Sequence, residues 1–242
     1  MKRFALLLAC LMMTSLCGCS EAEPAPEATV SVETAAPEDV RWKEMNQKTY
    51  TEIGKILTDC GIGGVTEEEI SRLESNYDLP DGITLNINRA AEFLTNLGYG
   101  KWNWDTMEWT PSHNGVYSFD VEVYPLIKIY TKFLLGIQAL APDEIQISDI
   151  VEDDSEADWD NGTGIIKVSF VFNGQSYNIN ARLNDDWFDM DFANAIGGII
   201  KKDNKRLWFT TDGYQECIIF FRDENWAQHF SEQTGLELTP RL

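Results

Sequence analysis

Three tryptophans stand within eight residues, in Lys101-Trp102-Asn103-Trp104-Asp105-Thr106-Met107-Glu108-Trp109. Aromatic faces beside Asn, Asp and Glu can stack on the C–H patches of a sugar while the polar neighbours take its hydroxyls. Trp102 and Trp104 share a face if the segment is a strand. The competing reading is a hairpin whose tryptophans pack on the core, because Trp is highly buried on average. A second group is the acidic run Asp149, Glu152, Asp153, Asp154, Glu156, Asp158 and Asp160, closed by Asn161-Gly162. The alternation Asp158-Trp159-Asp160 offers oxygen ligands of the kind Ca²⁺ takes. It does not fit an EF-hand loop, since glycine comes too late and Lys167 stands where the bidentate Glu belongs. A solvated loop is the expected structure. A third group, Asp185-Asp186-Trp187-Phe188-Asp189-Met190-Asp191, precedes an apolar helical pattern and reads as helix capping. Either acidic group could hold the carboxylate pair of a glycoside hydrolase.

Other chemistries are thinly supplied. His113 and His229 are the only histidines, too few for a zinc site built on several imidazoles. No Gly-x-Ser-x-Gly elbow is present. Gly61-Ile62-Gly63-Gly64 has neither the lysine nor the strand-before-helix context of a phosphate loop. The chain carries 19 basic and 40 acidic residues, a net charge of −21. That argues against nucleic acid, which is bound by exchanging counterions for Lys and Arg. It also disfavours anionic lipid or polymer held by charge alone.

The N-terminus opens with Met1-Lys2-Arg3, and Phe4 to Leu16 is an apolar stretch far below the roughly 20 residues that span a bilayer. It closes in Leu16-Cys17-Gly18-Cys19. These residues resemble the lipobox of bacterial prolipoproteins: an aliphatic residue, a small one, Gly or Ala, then the cysteine that is acylated. The resemblance implies a signal peptide over 1–18 and a diacylglycerol thioether, with palmitate-type chains, on Cys19 as mature N-terminus. It also implies a location on the cell membrane facing the extracytoplasmic side. Two acyl chains, at about 0.8 kcal/mol per buried CH₂, hold where one is marginal. Residues 19–39 then carry Pro24, Pro26, Pro37 and many acids with no aromatic. They read as a disordered acidic linker.

Of the five cysteines, Cys10 and Cys17 leave with the signal and Cys19 is acylated. Cys60 and Cys217 remain as the pair that export would allow to form a disulfide. The apolar run around Cys217 equally suits a buried free thiol.

The elements that must position these groups read as an α+β fold: a helical N-terminal part over 40–98, then an antiparallel sheet built from hairpins with packed helices over 99–242, the two forming one unit. Trp42, Met45, Ile53, Ile56, Leu57 and Cys60 recur at helical spacing. Thr66-Glu67-Glu68-Glu69 is a capping box, followed by an apolar face of Ile70, Leu73 and Tyr77. A third helix runs from about Asn88 to Leu97. Tyr117 to Val123 alternate as a half-buried strand, and Leu126 to Leu140 read as a helix. Asn173-Gly174 is a type I′ hairpin signal. Pairing outward from it sets Phe170 opposite Tyr177, Val168 opposite Ile179 and Ile166 opposite Ala181, one apolar face against one polar face. A second hairpin turns at Asp212-Gly213, with arms apolar on both faces and therefore covered on both sides. A last helix carries Trp226 and Phe230.

Asp186-Trp187-Phe188-Asp189 before a helix, then Asp212-Gly213-Tyr214-Gln215 and the final Trp226-Ala227 helix, resemble exported domains of Gram-positive surface lipoproteins, a resemblance that brings no activity with it. The expected function is that of a lipid-anchored binding or interaction protein, not an enzyme, held to the membrane through Cys19. A protein, peptide or wall component is its expected partner and no cofactor beyond Ca²⁺ is in view. The alternatives are a carbohydrate-binding module using Trp102, Trp104 and Trp109, and an envelope hydrolase using paired carboxylates.

Overall fold

The computed structural model describes residues 42–75 and 88–241. The lipobox, Cys19, the acidic linker and Tyr77 lie outside them. The first helical stretch is interrupted: a short helical turn at 42–45 ends, and α1 (Tyr50–Asp59) starts afresh. Thr49 causes the restart. Its side chain accepts from the Glu52 amide while the Glu52 carboxylate accepts from the Thr49 amide at 2.8 Å, a complete capping box. At α2 (Glu67–Ser75), Thr66 accepts from the Glu69 amide as expected, but the Glu69 carboxylate turns outward to Arg72. α3 (Arg89–Gly98) is capped by Asn88, which is fully buried and accepts from the amides of Ala90 and Ala91.

A short hairpin follows, β1 (Lys101–Asn103) and β2 (Glu108–Thr110), and then β3 (Tyr117–Asp120). The helix expected from Leu126 begins later, as α4 (Ile129–Ala139), with Lys128 in the left-handed region at φ 49°. The expected hairpin of β5 (Thr163–Phe172) and β6 (Gln175–Asn184) has the register read from its turn, Phe170 opposite Tyr177 through Ile166 opposite Ala181. The acidic run is not a loop. It is β4 (Ile147–Asp158), paired antiparallel with β5 along its length. Two register shifts, between Ser148 and Val151 and between Asp153 and Glu156, interrupt the two-residue alternation by which a strand is recognised. α5 (Met190–Ile199), β7 (Lys201–Lys202), β8 (Lys205–Thr211), β9 (Glu216–Arg222) and α6 (Glu224–Thr234) complete the order.

β4-β5-β6 form one sheet, and β3-β9-β8-β7 form a second. The second sheet separates two cores. Leu207, Phe209, Cys217, Ile219 and Phe221 point into a core shared with α4, α5 and the inner face of β5 and β6. Trp208, Ile218 and Phe220 point the other way, against α1, α3 and α6. The two-sided burial expected of these strands is therefore present. It also corrects the disulfide expectation. Cys60, at the end of α1, belongs to one core and Cys217 to the other, with the sheet between them, and both are buried free thiols.

Candidate functional site

The β1–β2 hairpin sets Trp102 opposite Trp109, and the two rings have different surroundings. Trp109 turns inward: its indole N–H donates to the Tyr99 carbonyl at 2.9 Å and its ring lies 5.9 Å from that of Tyr117. Trp104 falls in the turn and not on the strand. It stacks on Trp102 with centroids 5.3 Å apart and planes 17° apart. The three indoles thus do not form one exposed plane. Trp102 and Trp109 frame one side of a cleft whose floor is Tyr117, Phe119 and Phe133. Tyr117 stacks on Phe119 at 5.7 Å, and Phe119 meets Phe133 edge-on at 5.4 Å. The mouth carries exposed rings: Tyr124 is 80% exposed and Tyr99 38%, while Trp104, 59% exposed, is stacked on Trp102 without lining the cleft. The cleft is half open, with a volume of about 60 Å³, room for a few waters or for one end of a larger molecule.

Two charged side chains line this aromatic space, Lys132 from α4 and Asp120 from the end of β3. The Lys132 ammonium lies 4.3 Å from the Trp102 ring centroid, a cation–π contact, and donates to the Pro125 carbonyl at 3.4 Å. Among the described residues it has no carboxylate within ion-pair distance. The carboxylate that acts on it, Glu152, is held by the backbone and hydroxyl of Thr131 at 2.8 and 2.7 Å. Burial outweighs that attraction and lowers the Lys132 pKa to about 8.

Asp120 accepts from the Glu122 amide at 2.9 Å and has no cationic partner among the described residues. Burial raises its pKa, and the charges of Glu122 and Asp212 add to the rise. Directly across the strand pair stands Glu216. Its Oε2 is buried without a hydrogen-bond partner. Burial first, then Asp120 and Asp212, push its pKa up to about 7. Asp212 itself is occupied by the amides of Tyr214 and Glu216, at 2.8 and 3.2 Å.

The acidic groups singled out in the sequence lie elsewhere. Asp158 closes the β4–β5 turn, accepting from the backbone and side chain of Asn161, and Asp160 is exposed beside it. Asp189 caps α5 and accepts from the Arg182 amide, and the Arg182 side chain pairs with both Asp189 and Asp191. Among the described residues no group of three or more His, Cys, Asp or Glu is placed to hold a metal ion, and no helix is long and apolar enough to cross a membrane.

No protein-family model, curated protein or solved structure matches this chain. The site therefore rests on its own geometry. Of the three tryptophans singled out in the sequence, Trp102 and Trp109 line the cleft and Trp104 does not; Lys132, Asp120 and Glu216 were missed. The signal for Lys132 was its position as the only charged residue of an otherwise apolar and neutral helix, Ile129–Ala139. For Glu216 it was a carboxylate opening a strand that is otherwise buried up to Phe221.

Proposed function

We propose that this chain is a lipid-anchored binding protein on the outer side of a bacterial membrane, and that the cleft between the β1–β2 hairpin, β3 and α4 is where it takes its ligand. One observation carries the second half: an aromatic cleft that opens through exposed Tyr99 and Tyr124. Large aromatics cost solvation when left in water, and concave sites with a few placed polar groups are where small molecules and peptide ends are held. The first half is supported by Leu16-Cys17-Gly18-Cys19 and the acidic, proline-containing stretch behind it.

The two halves are tested separately. Lipidation of Cys19 is read from the mass of the mature N-terminal peptide, which should begin at Cys19 and carry the acyl chains. An N-terminal peptide without them would sink the anchor. The cleft is tested by capture from envelope extracts with the full chain and its Trp104→Ala and Tyr124→Ala variants. Both positions are exposed, so melting temperatures should hold while capture falls. Capture unaffected by either change would remove the cleft as the ligand seat.

A carbohydrate ligand is the second reading. It is favoured by the exposure of Trp104, whose ring is stacked on the Trp102 that lines the cleft.

A further inference from the structure

We propose that the cleft takes a zwitterion on an apolar body, an amino acid or the joined ends of a short peptide, with the ligand carboxylate meeting Lys132 and the ligand ammonium meeting Asp120. The proposal rests on the cleft being the ligand seat and names what that seat selects.

The argument is one of uncompensated charge. A charge taken out of water costs free energy unless it is paired. Lys132 and Asp120 line the same aromatic cavity, and neither has an opposite charge within ion-pair distance among the described residues. They do not offset one another either: the groups acting on Lys132 and on Asp120 are Glu152 in the first case, Glu122 and Asp212 in the second. Two unpaired charges of opposite sign on one aromatic cavity are an electrostatic template.

Each simpler ligand satisfies half of it. A neutral sugar would remove water from both charges and return hydroxyl hydrogen bonds but no opposite charge. An anion would satisfy Lys132 while adding repulsion to Asp120 and to Glu216 behind it, whose Oε2 already lacks a partner. A cation would satisfy Asp120 and compete with Lys132 for the face of Trp102. A molecule carrying both charges gives each residue an opposite charge at once. Its apolar portion meets the rings of Phe119, Phe133 and Tyr117. The half-open space of about 60 Å³ admits the charged end and leaves the body against the open rings at the mouth.

The test is calorimetric titration of the full chain in detergent with leucine, leucyl-leucine, N-acetylleucine, leucinamide and methyl glucoside, with indole fluorescence followed in parallel. Leucine or leucyl-leucine should bind. Acetylating the amine or amidating the carboxylate should each weaken binding by about tenfold or more, since a charge-assisted hydrogen bond is worth roughly 1.5–3 kcal/mol. Tighter binding of leucine than of leucyl-leucine identifies a free amino acid, and the reverse identifies a peptide. Asp120→Asn should erase the discrimination against N-acetylleucine alone, and Lys132→Gln the discrimination against leucinamide alone.

The blocked compounds probe the unaltered protein, so the outcome does not hang on the variants folding. Equal binding of blocked and unblocked leucine overturns the proposal, as does no binding of either zwitterion at millimolar concentration. If methyl glucoside then binds with a fluorescence change lost in Trp102→Phe, the cleft stands as a ligand seat and only the zwitterion falls. If nothing in the panel alters that fluorescence, both fall.

Discussion

Glu216 is the residue whose chemistry reaches furthest beyond its own contacts. Its folded pKa of about 7, against 4.5 for the free side chain, means that the native state holds the proton more tightly than the unfolded chain. Stability therefore falls as pH rises from about 4.5 to 7, where the unfolded chain has ionised and the native carboxyl has not, and the full cost is present above 7. Glu216→Gln removes the ionisation and keeps the shape. It should leave stability near pH 4 unchanged and raise it at pH 8 by about 3 kcal/mol or slightly more, at roughly 1.4 kcal/mol per pKa unit. Denaturant titrations at the two pH values check this. Equal curves for parent and variant at pH 8 would show that the carboxylate is solvated. Lys132 contributes with the opposite slope: its pKa, lowered to about 8 by burial, makes stability rise as pH climbs from about 8 to 10.5. Lys132→Met should flatten that limb. The cysteines make a further statement at this scale. Alkylation of the denatured, unreduced protein should label the peptides of both Cys60 and Cys217, whereas the native protein, with both thiols buried, should label neither. A pair of peptides linked by a disulfide would contradict the placement of the two residues in separate cores.

At the scale of elements, turns and caps decide where each segment begins, and two glycines show how unequal turns can be. Gly174 has φ 74° with open space where a Cβ would stand, so Gly174→Ala should cost only the left-handed backbone, about 1–2 kcal/mol. Gly162 has φ 64°, and a Cβ there would meet the Asp185 carboxylate and lie 2.9 Å from the Asp185 Cα. Gly162→Ala should therefore destabilise more than Gly174→Ala, measured as the difference in denaturation midpoints at equal slope. The same local logic marks how far the sequence could be read. The β5–β6 register follows from Asn173-Gly174 together with alternating side chains, because both signals lie within one continuous segment. The β4 strand escapes it, because its bulges interrupt the alternation and Asp149 takes a left-handed φ of 52°. Thr49 and Glu52 have the capping-box spacing but it goes unread, because the apolar spacing from Trp42 to Cys60 runs straight across them and masks the break. The charged members of the cleft were less legible still. Lys132 and Asp120 come together only because α4 packs on β3, and no spacing within one segment encodes that encounter.

For the whole molecule, the sheet β3-β9-β8-β7 is a shared wall, and neighbouring residues on one strand serve different cores. Phe220 belongs with α1, α3 and α6, and Phe221 with α4, α5 and the other sheet. Each is essentially inaccessible to solvent. Phe220→Ala and Phe221→Ala should each cost about 3–5 kcal/mol through lost burial and the cavity left behind. Because one strand carries both, the two variants should unfold in a single transition by circular dichroism and by fluorescence alike. A biphasic curve for either would show that the cores are separable. The exposed strand β4 has a consequence of another kind. Among the described residues it borders β5 on one side and no strand on the other; Lys128 and Gln138 take the Glu152 carbonyl and the Ile147 amide, and the stretch beyond Glu152 is the part of this edge where a second chain could pair. Along it stand Asp153, Asp154, Glu156 and Asp158, all exposed. Two copies meeting edge to edge would bring these carboxylates together, and only salt or protonation would quiet them. The segment that reads as a charged loop is thus the insulation on the molecule's open border, and its strength is set by the ionic strength and pH of the medium around it.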